Sequence, residues 1–192
     1  MNYEYSDLEI RAILGAAEIT YNPNFLNFLT QKIRRQQLLD QSEEIISYLK
    51  RLANIRIFYP QALKVLEEIV LQDCKKFTVY MNILETIAGK YPDTKTRENL
   101  SKRSLNFVQT LASKRKYQSE IIAGMENCTH FSRQWQIEVL QILGKYCPKD
   151  ALSFREIFKN KLRQTAMTCQ TSEELDIISG IAKSIHVYIP EL

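Results

Sequence analysis

The sequence predicts an all-α fold, a stack of about five helical hairpins, on three observations. Apolar residues recur along most of the chain at the i, i+3, i+4, i+7 spacing of a helix with one buried stripe. All five prolines fall at expected helix boundaries and none inside a helix, where proline would remove a hydrogen bond and clash with the preceding turn. Part of one hairpin, within the stretch Cys74 to Lys116, returns at Trp135 to Asp150. Alternating strand-like patterning is confined to Ile55 to Tyr59, too short and too isolated to build a sheet.

The elements follow in order. Ser6 and Glu9 make a capping box in which each side chain satisfies a free backbone N–H group, opening a helix through Leu8, Ala12, Ile13, Ala16 and Ala17. Asn22-Pro23 opens the second, with Phe25, Leu26, Phe28, Leu29 and Ile33 on its apolar side. Asp40 with Glu43 opens a third, carrying Ile45, Ile46, Leu49, Leu52 and Ala53, and Pro60 opens a fourth through Leu63, Leu66, Ile69 and Val70. A central pair spans about 74–90 and 94–115, followed by a short helix at about 119–128 that Gly124 weakens. Ser132 caps the Trp135 helix, and Pro148 leads into a helix through Phe154, Phe158, Leu162 and Ala166. Thr171 with Glu174 caps the last, which bears Leu175, Ile178, Ile181, Ala182 and Ile185.

A shift of 55 positions aligns Tyr80 with Trp135, Leu84 with Val139, Ile87 with Ile142 and Ala88 with Leu143. The same shift aligns Gly89-Lys90-Tyr91 with Gly144-Lys145-Tyr146, and each copy then reaches a proline and an aspartate. Glycine in the last turn lets a neighbouring helix approach, and proline ends one helix while fitting the first turn of the next. Ile57-Phe58-Tyr59-Pro60 and Val187-Tyr188-Ile189-Pro190 echo the corner more weakly. This pattern resembles the HEAT-like and armadillo-like repeat superfamily, from about Gln41 to the C-terminus. The resemblance implies a right-handed α-solenoid serving as a binding scaffold. The superfamily also includes DNA-binding proteins and DNA-repair enzymes, but no motif of such an enzyme stands in this chain.

At 192 residues, with 45% hydrophobic and 25% charged residues, the chain is expected to form one domain, 1–192, with a substantial core. No apolar run approaches the roughly 20 residues a membrane-spanning helix needs. Met1-Asn2-Tyr3-Glu4-Tyr5 lacks the basic-then-apolar order of a signal peptide, so a cytoplasmic location is expected. Cys74, Cys128, Cys147 and Cys169 form no C-x-x-C pair and are expected to be reduced core residues. The end of the chain, His186 to Leu192, closes on apolar residues. It is expected to pack back on the domain, to meet a partner or another copy, or to be the cut end of a longer protein.

Chemistry-bearing motifs are sparse. The chain has no G-x-G-x-x-G, P-loop or G-x-S-x-G, and its five glycines are scattered. His130 and Cys128 stand two residues apart, a spacing at which side chains do not normally meet, and two further metal ligands are missing. Adjacent acid pairs such as Glu67-Glu68 point in different directions on a helix and read as solvated charges. Trp135 suggests a base-stacking platform, but it shares a stripe with Leu and Ile and is expected in the core. No catalytic residue, metal or cofactor is therefore assigned.

Charge is the remaining signal. Residues 1–92 carry eleven basic and eleven acidic residues, and residues 119–192 carry eight and nine. Between them, Lys95, Arg97, Lys102, Arg103, Lys114, Arg115 and Lys116 face only Asp93 and Glu98, so the whole positive excess sits in 93–118. With Leu100, Ser104, Phe107, Val108 and Leu111 buried, Lys95 and Lys102 point outward, flanked by Arg103 and Lys114. In the matching later helix, Arg155, Lys159 and Arg163 share one edge, and stacked hairpins would place the two helices in equivalent layers. Such a surface attracts acidic protein segments or phosphate backbones. The expectation is a non-enzymatic scaffold that binds another protein, the alternative a nucleic-acid-binding helical-repeat protein using the faces around 95–116 and 155–163.

Overall fold

The computed structural model describes residues 4–16, 21–38, 41–114, 118–126, 128–148 and 151–190. Ten α-helices occupy them, with no strand among the described residues. Ile55 to Tyr59 is a turn leading into a helix, because Ile55 and Phe58 close tight backbone bonds to Leu52 and to Ile55. The chain divides into two units, Met1–Pro92 and Asp93–Leu192, with the boundary at the Lys90-Tyr91-Pro92-Asp93 corner.

The first unit contains α1 (Asp7–Gly15), α2 (Pro23–Arg34), α3 (Ser42–Ala53), α4 (Tyr59–Gln72) and α5 (Phe77–Lys90). The Ser6–Glu9 capping box forms, the Ser6 N–H donating to Glu9 at 2.8 Å. Asn22 caps α2 by accepting from the N–H groups of Asn24 and Phe25, with Pro23 in the first turn. The expected Asp40 cap lies outside the described residues; Gln41 occupies the cap position of α3 without a side-chain bond. The helix expected over 74–90 is split. Asp73 accepts from the Lys75 N–H and turns Cys74–Lys76 into a 3₁₀ segment before α5 begins. Within the unit α1 packs on α3 and α3 on α5, while α2 packs on α4, which also contacts α3 and α5. Phe25, Leu29, Ile45, Leu49, Leu63, Leu66, Phe77 and Leu84 are buried between them. The Phe25 ring meets the fully buried Tyr48 edge-on at 5.8 Å, a favoured aromatic geometry.

The second unit contains α6 (Thr94–Ala112), α7 (Gln118–Met125), α8 (Arg133–Tyr146), α9 (Leu152–Met167) and α10 (Ser172–Ser184). Asp93 caps α6, accepting from the Thr96 N–H at 3.0 Å and the Thr96 hydroxyl at 2.9 Å. Ser132 caps α8 and Thr171 caps α10, each accepting from the N–H three residues on. The corresponding aspartate of the later copy, Asp150, lies outside the described residues, and Ala151 precedes α9 without a side-chain bond. Here α6 packs on α8 and α8 on α10, while α7 packs on α9; α6–α7 and α9–α10 contacts join the two rows. Trp135 is a core residue, only 2% exposed, and its indole N–H donates to the buried Ser104 hydroxyl at 2.8 Å. Gly144 permits a close approach: a Cβ there would sit 2.8 Å from Cγ2 of Ile181 on α10. At the end of the described chain Ile185 and Ile189 pack inward while Tyr188 stays exposed.

Candidate binding surface

The positive excess is dispersed by the helix it sits on. Lys95, Arg97, Lys102 and Lys114 are exposed, and Arg103 is half-buried. Arg115 and Lys116 lie outside the described residues. By helical spacing Lys95 and Lys102 fall on one outward strip of α6 with the exposed Glu98 between them, so the strip is only weakly positive.

The later basic edge is divided between roles. Arg163 is exposed and Lys159 half-buried, but Arg155 turns toward α10. Its guanidinium donates to the carbonyls of Ile185 at 2.6 Å and His186 at 3.1 Å, closing the end of that helix. Nor do α6 and α9 occupy equivalent layers of the second unit: α6 lies in the row with α8 and α10, and α9 in the row with α7. The single helix α7 between the two recurring pairs shifts the alternation by one.

Arg155 is one of several donors that satisfy helix ends from a neighbouring element. The last carbonyls of a helix have no partner within it and are usually met by a left-handed glycine cap, by water or by side chains. No glycine among the described residues has a positive φ; the left-handed residues that follow α2 and α10 are Gln36 (φ 59) and His186 (φ 55). In the first unit Arg51 of α3 donates to the Leu14 and Ala16 carbonyls at the end of α1. The Lys90 amine and the Tyr91 hydroxyl both donate to the Asn54 carbonyl beyond α3, at 2.8 and 2.7 Å. In the second unit Gln118 donates to the Tyr146 carbonyl at 2.8 Å, and Arg133 to the Thr165 carbonyl at 2.7 Å. Arg133 also reaches the Thr168 hydroxyl and the Glu174 carboxylate, tying α8 to the α9–α10 corner. The recurring Gly-Lys-Tyr triplets belong to the same joints. Lys90 lies 5.8 Å from the centre of the Tyr91 ring and Lys145 lies 5.6 Å from that of Tyr146.

The other reactive residues are placed apart. Cys128 is buried with its thiol donating to the Gly124 carbonyl at 3.3 Å, whereas His130 is exposed beside Thr129. All four cysteines are free thiols, but Cys74, Cys147 and Cys169 are half-buried, at the margin of the core. Burial pushes the Cys147 thiol up from its ordinary value, opposed by the positive charge of Arg155. Among the described residues no three His, Cys, Asp or Glu side chains gather as metal ligands would. No described helix is long and apolar enough to cross a membrane.

Three grooves open between helices of the same row. One of about 490 Å³ lies between α1 and α3, lined by Arg11, Leu14, Gly15, Gln41, Glu44 and Ser47. Another of about 250 Å³ lies between α3 and α5 around Lys50, Asn54, Asn82 and Thr86. The third, about 390 Å³, lies between α8 and α10 above Gly144 and Gly180. Of these residues the sequence marked only Gly144, as a close-approach glycine, and Glu44, as a solvated charge, since a charged or small residue on the polar side of a helix carries no mark of what packs beside it. Comparison of the chain with protein-family models, curated proteins and solved structures returns no match.

Proposed function

We propose that the chain is a non-enzymatic scaffold of the HEAT-like α-solenoid kind, binding another protein through exposed helix faces and the grooves between them. The observation that supports this most is the packing order. In each unit a helix lies against its next-but-one neighbour, as side-by-side hairpins do in repeat proteins. Four free thiols favour a reducing, cytosolic setting. The test is affinity capture of the intact chain under crosslinking, followed by reconstitution of any captured protein with the purified chain. A partner that binds stoichiometrically, and is weakened by charge substitutions along the grooves, supports the reading. A strictly monomeric protein that retains no partner overturns it.

A second reading, nucleic-acid binding, draws on the exposed Lys95, Lys102 and Lys114 within the segment that holds the charge excess. Fluorescence anisotropy with labelled single- and double-stranded DNA and RNA tests it. Phosphate contact predicts affinity that falls steeply with salt and drops in a Lys95→Glu, Lys102→Glu, Lys114→Glu variant. No binding at low salt refutes it.

A further inference from the structure

We propose that the α1–α3 groove of the first unit is a binding site for a small zwitterion of the α-amino-acid type, carrying an ammonium and a carboxylate group beside an aliphatic side chain. The groove has the size of a small-molecule site, at about 490 Å³. Its polar lining is what sets it apart. Arg11 on α1 and Glu44 on α3 carry opposite charges into the same groove, yet they form no ion pair with each other or with any other described residue. Elsewhere in the unit some charges are matched, Arg34 with Glu68 and Lys76 with Glu43, while others such as Arg35 and Lys64 are exposed to solvent; Arg11 and Glu44 differ from these in lining one groove with opposite signs.

Three residues before Glu44, at the N-cap of α3, the Gln41 side-chain oxygen is shielded from solvent and accepts no hydrogen bond. A buried acceptor without a donor is an uncommon feature that a ligand N–H relieves. Gln41 and Glu44 together therefore suit an ammonium group, while the Arg11 guanidinium suits a carboxylate. Ser47 adds a hydroxyl and the buried Leu14 supplies apolar surface, while a Cβ built at Gly15 would meet only open space. A ligand with both charges places each against its complement and fills the space between them. A ligand with one charge leaves either Arg11 or Glu44 facing an unmatched group.

The test is titration of the ¹⁵N-labelled intact chain with leucine, leucinamide, N-acetylleucine and the dipeptide Leu-Leu, followed by amide shifts. Leucine should move the resonances of Leu14, Gly15, Gln41 and Glu44. Removing its carboxylate (leucinamide) or its ammonium (N-acetylleucine) should each weaken binding by about tenfold or more. Binding by both leucine and Leu-Leu, or by Leu-Leu alone with both of its end charges required, supports the site and identifies free amino acid or peptide as its source. Arg11→Gln and Glu44→Gln alter exposed side chains and should fold as the parent by circular dichroism, yet each should weaken leucine or Leu-Leu comparably. The proposal is overturned if none of the probes shifts these amides at millimolar concentration. It is equally overturned if the two single-charge analogues or the two variants bind as well as the parent pair.

Discussion

Replacing Ser104 by alanine isolates one buried polar contact. The Ser104 hydroxyl is fully buried, accepts from the Trp135 indole at 2.8 Å and donates to the Ser101 carbonyl at 2.8 Å. Alanine leaves the indole N–H without a partner in a site closed to water, a loss of about 1–3 kcal/mol. Alanine's better helix propensity offsets roughly 0.5 kcal/mol of this, so the net destabilisation is about 1–2 kcal/mol. With a urea slope of about 1–3 kcal/mol/M, the midpoint should fall by about 0.3–2 M. Trp135 is the chain's single tryptophan, so its fluorescence follows unfolding of the second unit specifically. The control is the same substitution in a Trp135→Phe background, followed by circular dichroism, where no indole remains to be orphaned. There Ser104→Ala should cost close to nothing, giving a coupling energy of about 1–2 kcal/mol. Equal costs in both backgrounds, or no cost in either, would refute the assignment of this bond to the stability of the α6–α8 contact.

Other expectations follow from the same packing. Arg155→Ala removes the guanidinium donor shared by the Ile185 and His186 carbonyls and should destabilise the second unit by about 1–3 kcal/mol, with hydrogen exchange rising first at His186 and Val187. Gly144→Ala drives a methyl into Ile181, a fixed and branched neighbour, and should lower stability by about 1–2 kcal/mol. Gly180→Ala meets open space and should raise it by about 0.5–1 kcal/mol; thermal melts of the two variants should move in opposite directions. Cys147 tests the sign of a titration. Its thiol is raised in the folded state, so its contribution is complete below the unfolded value near 9.0 and is lost above it, as pH climbs through the higher folded value. Urea midpoints between pH 7 and pH 10 should therefore decline less in a Cys147→Ala variant than in the parent.

Helix beginnings were legible in the sequence because their chemistry is local. Ser6, Asn22, Asp93, Ser132 and Thr171 each accept an N–H two or three residues ahead; Ser6, Ser132 and Thr171 were readable as caps, and Asn22 and Asp93 as residues that precede a helix. The buried stripe of Tyr80, Leu84, Trp135 and Val139 was equally plain, since burial imposes the 3.6-residue period. Helix ends were not legible. The donors that close α1 and α10 are Arg51 and Arg155, arginines indistinguishable in sequence from the exposed Arg163. Arg155 was consequently expected on an open basic edge. Layer order was also hidden, because it depends on whether the short α7 counts as a full step in the alternation. The α1–α3 groove left no trace at all: Arg11, Gln41 and Glu44 are ordinary helix-surface residues until their lack of partners is visible in three dimensions.

The borrowed helix ends also set a direction for folding during synthesis. In the first unit each donor is made after its acceptor: Arg51 follows Leu14 by 37 residues, and Tyr91 follows Asn54 by 37. As the chain leaves the ribosome, α1 and α3 stay frayed at their ends until α3 and α5 respectively have emerged. In the second unit the order reverses. Gln118, Arg133 and Arg155 precede the Tyr146, Thr165 and Ile185 carbonyls by 28, 32 and 30 residues, so the ends of α8, α9 and α10 find these donors already in place; the Ala112 carbonyl of α6, by contrast, is met by a later donor, again Gln118. A nascent chain stalled after α4 should therefore remain open to proteolysis near Asn54, whereas one stalled after α9 should already resist cleavage at the ends of α8 and α9.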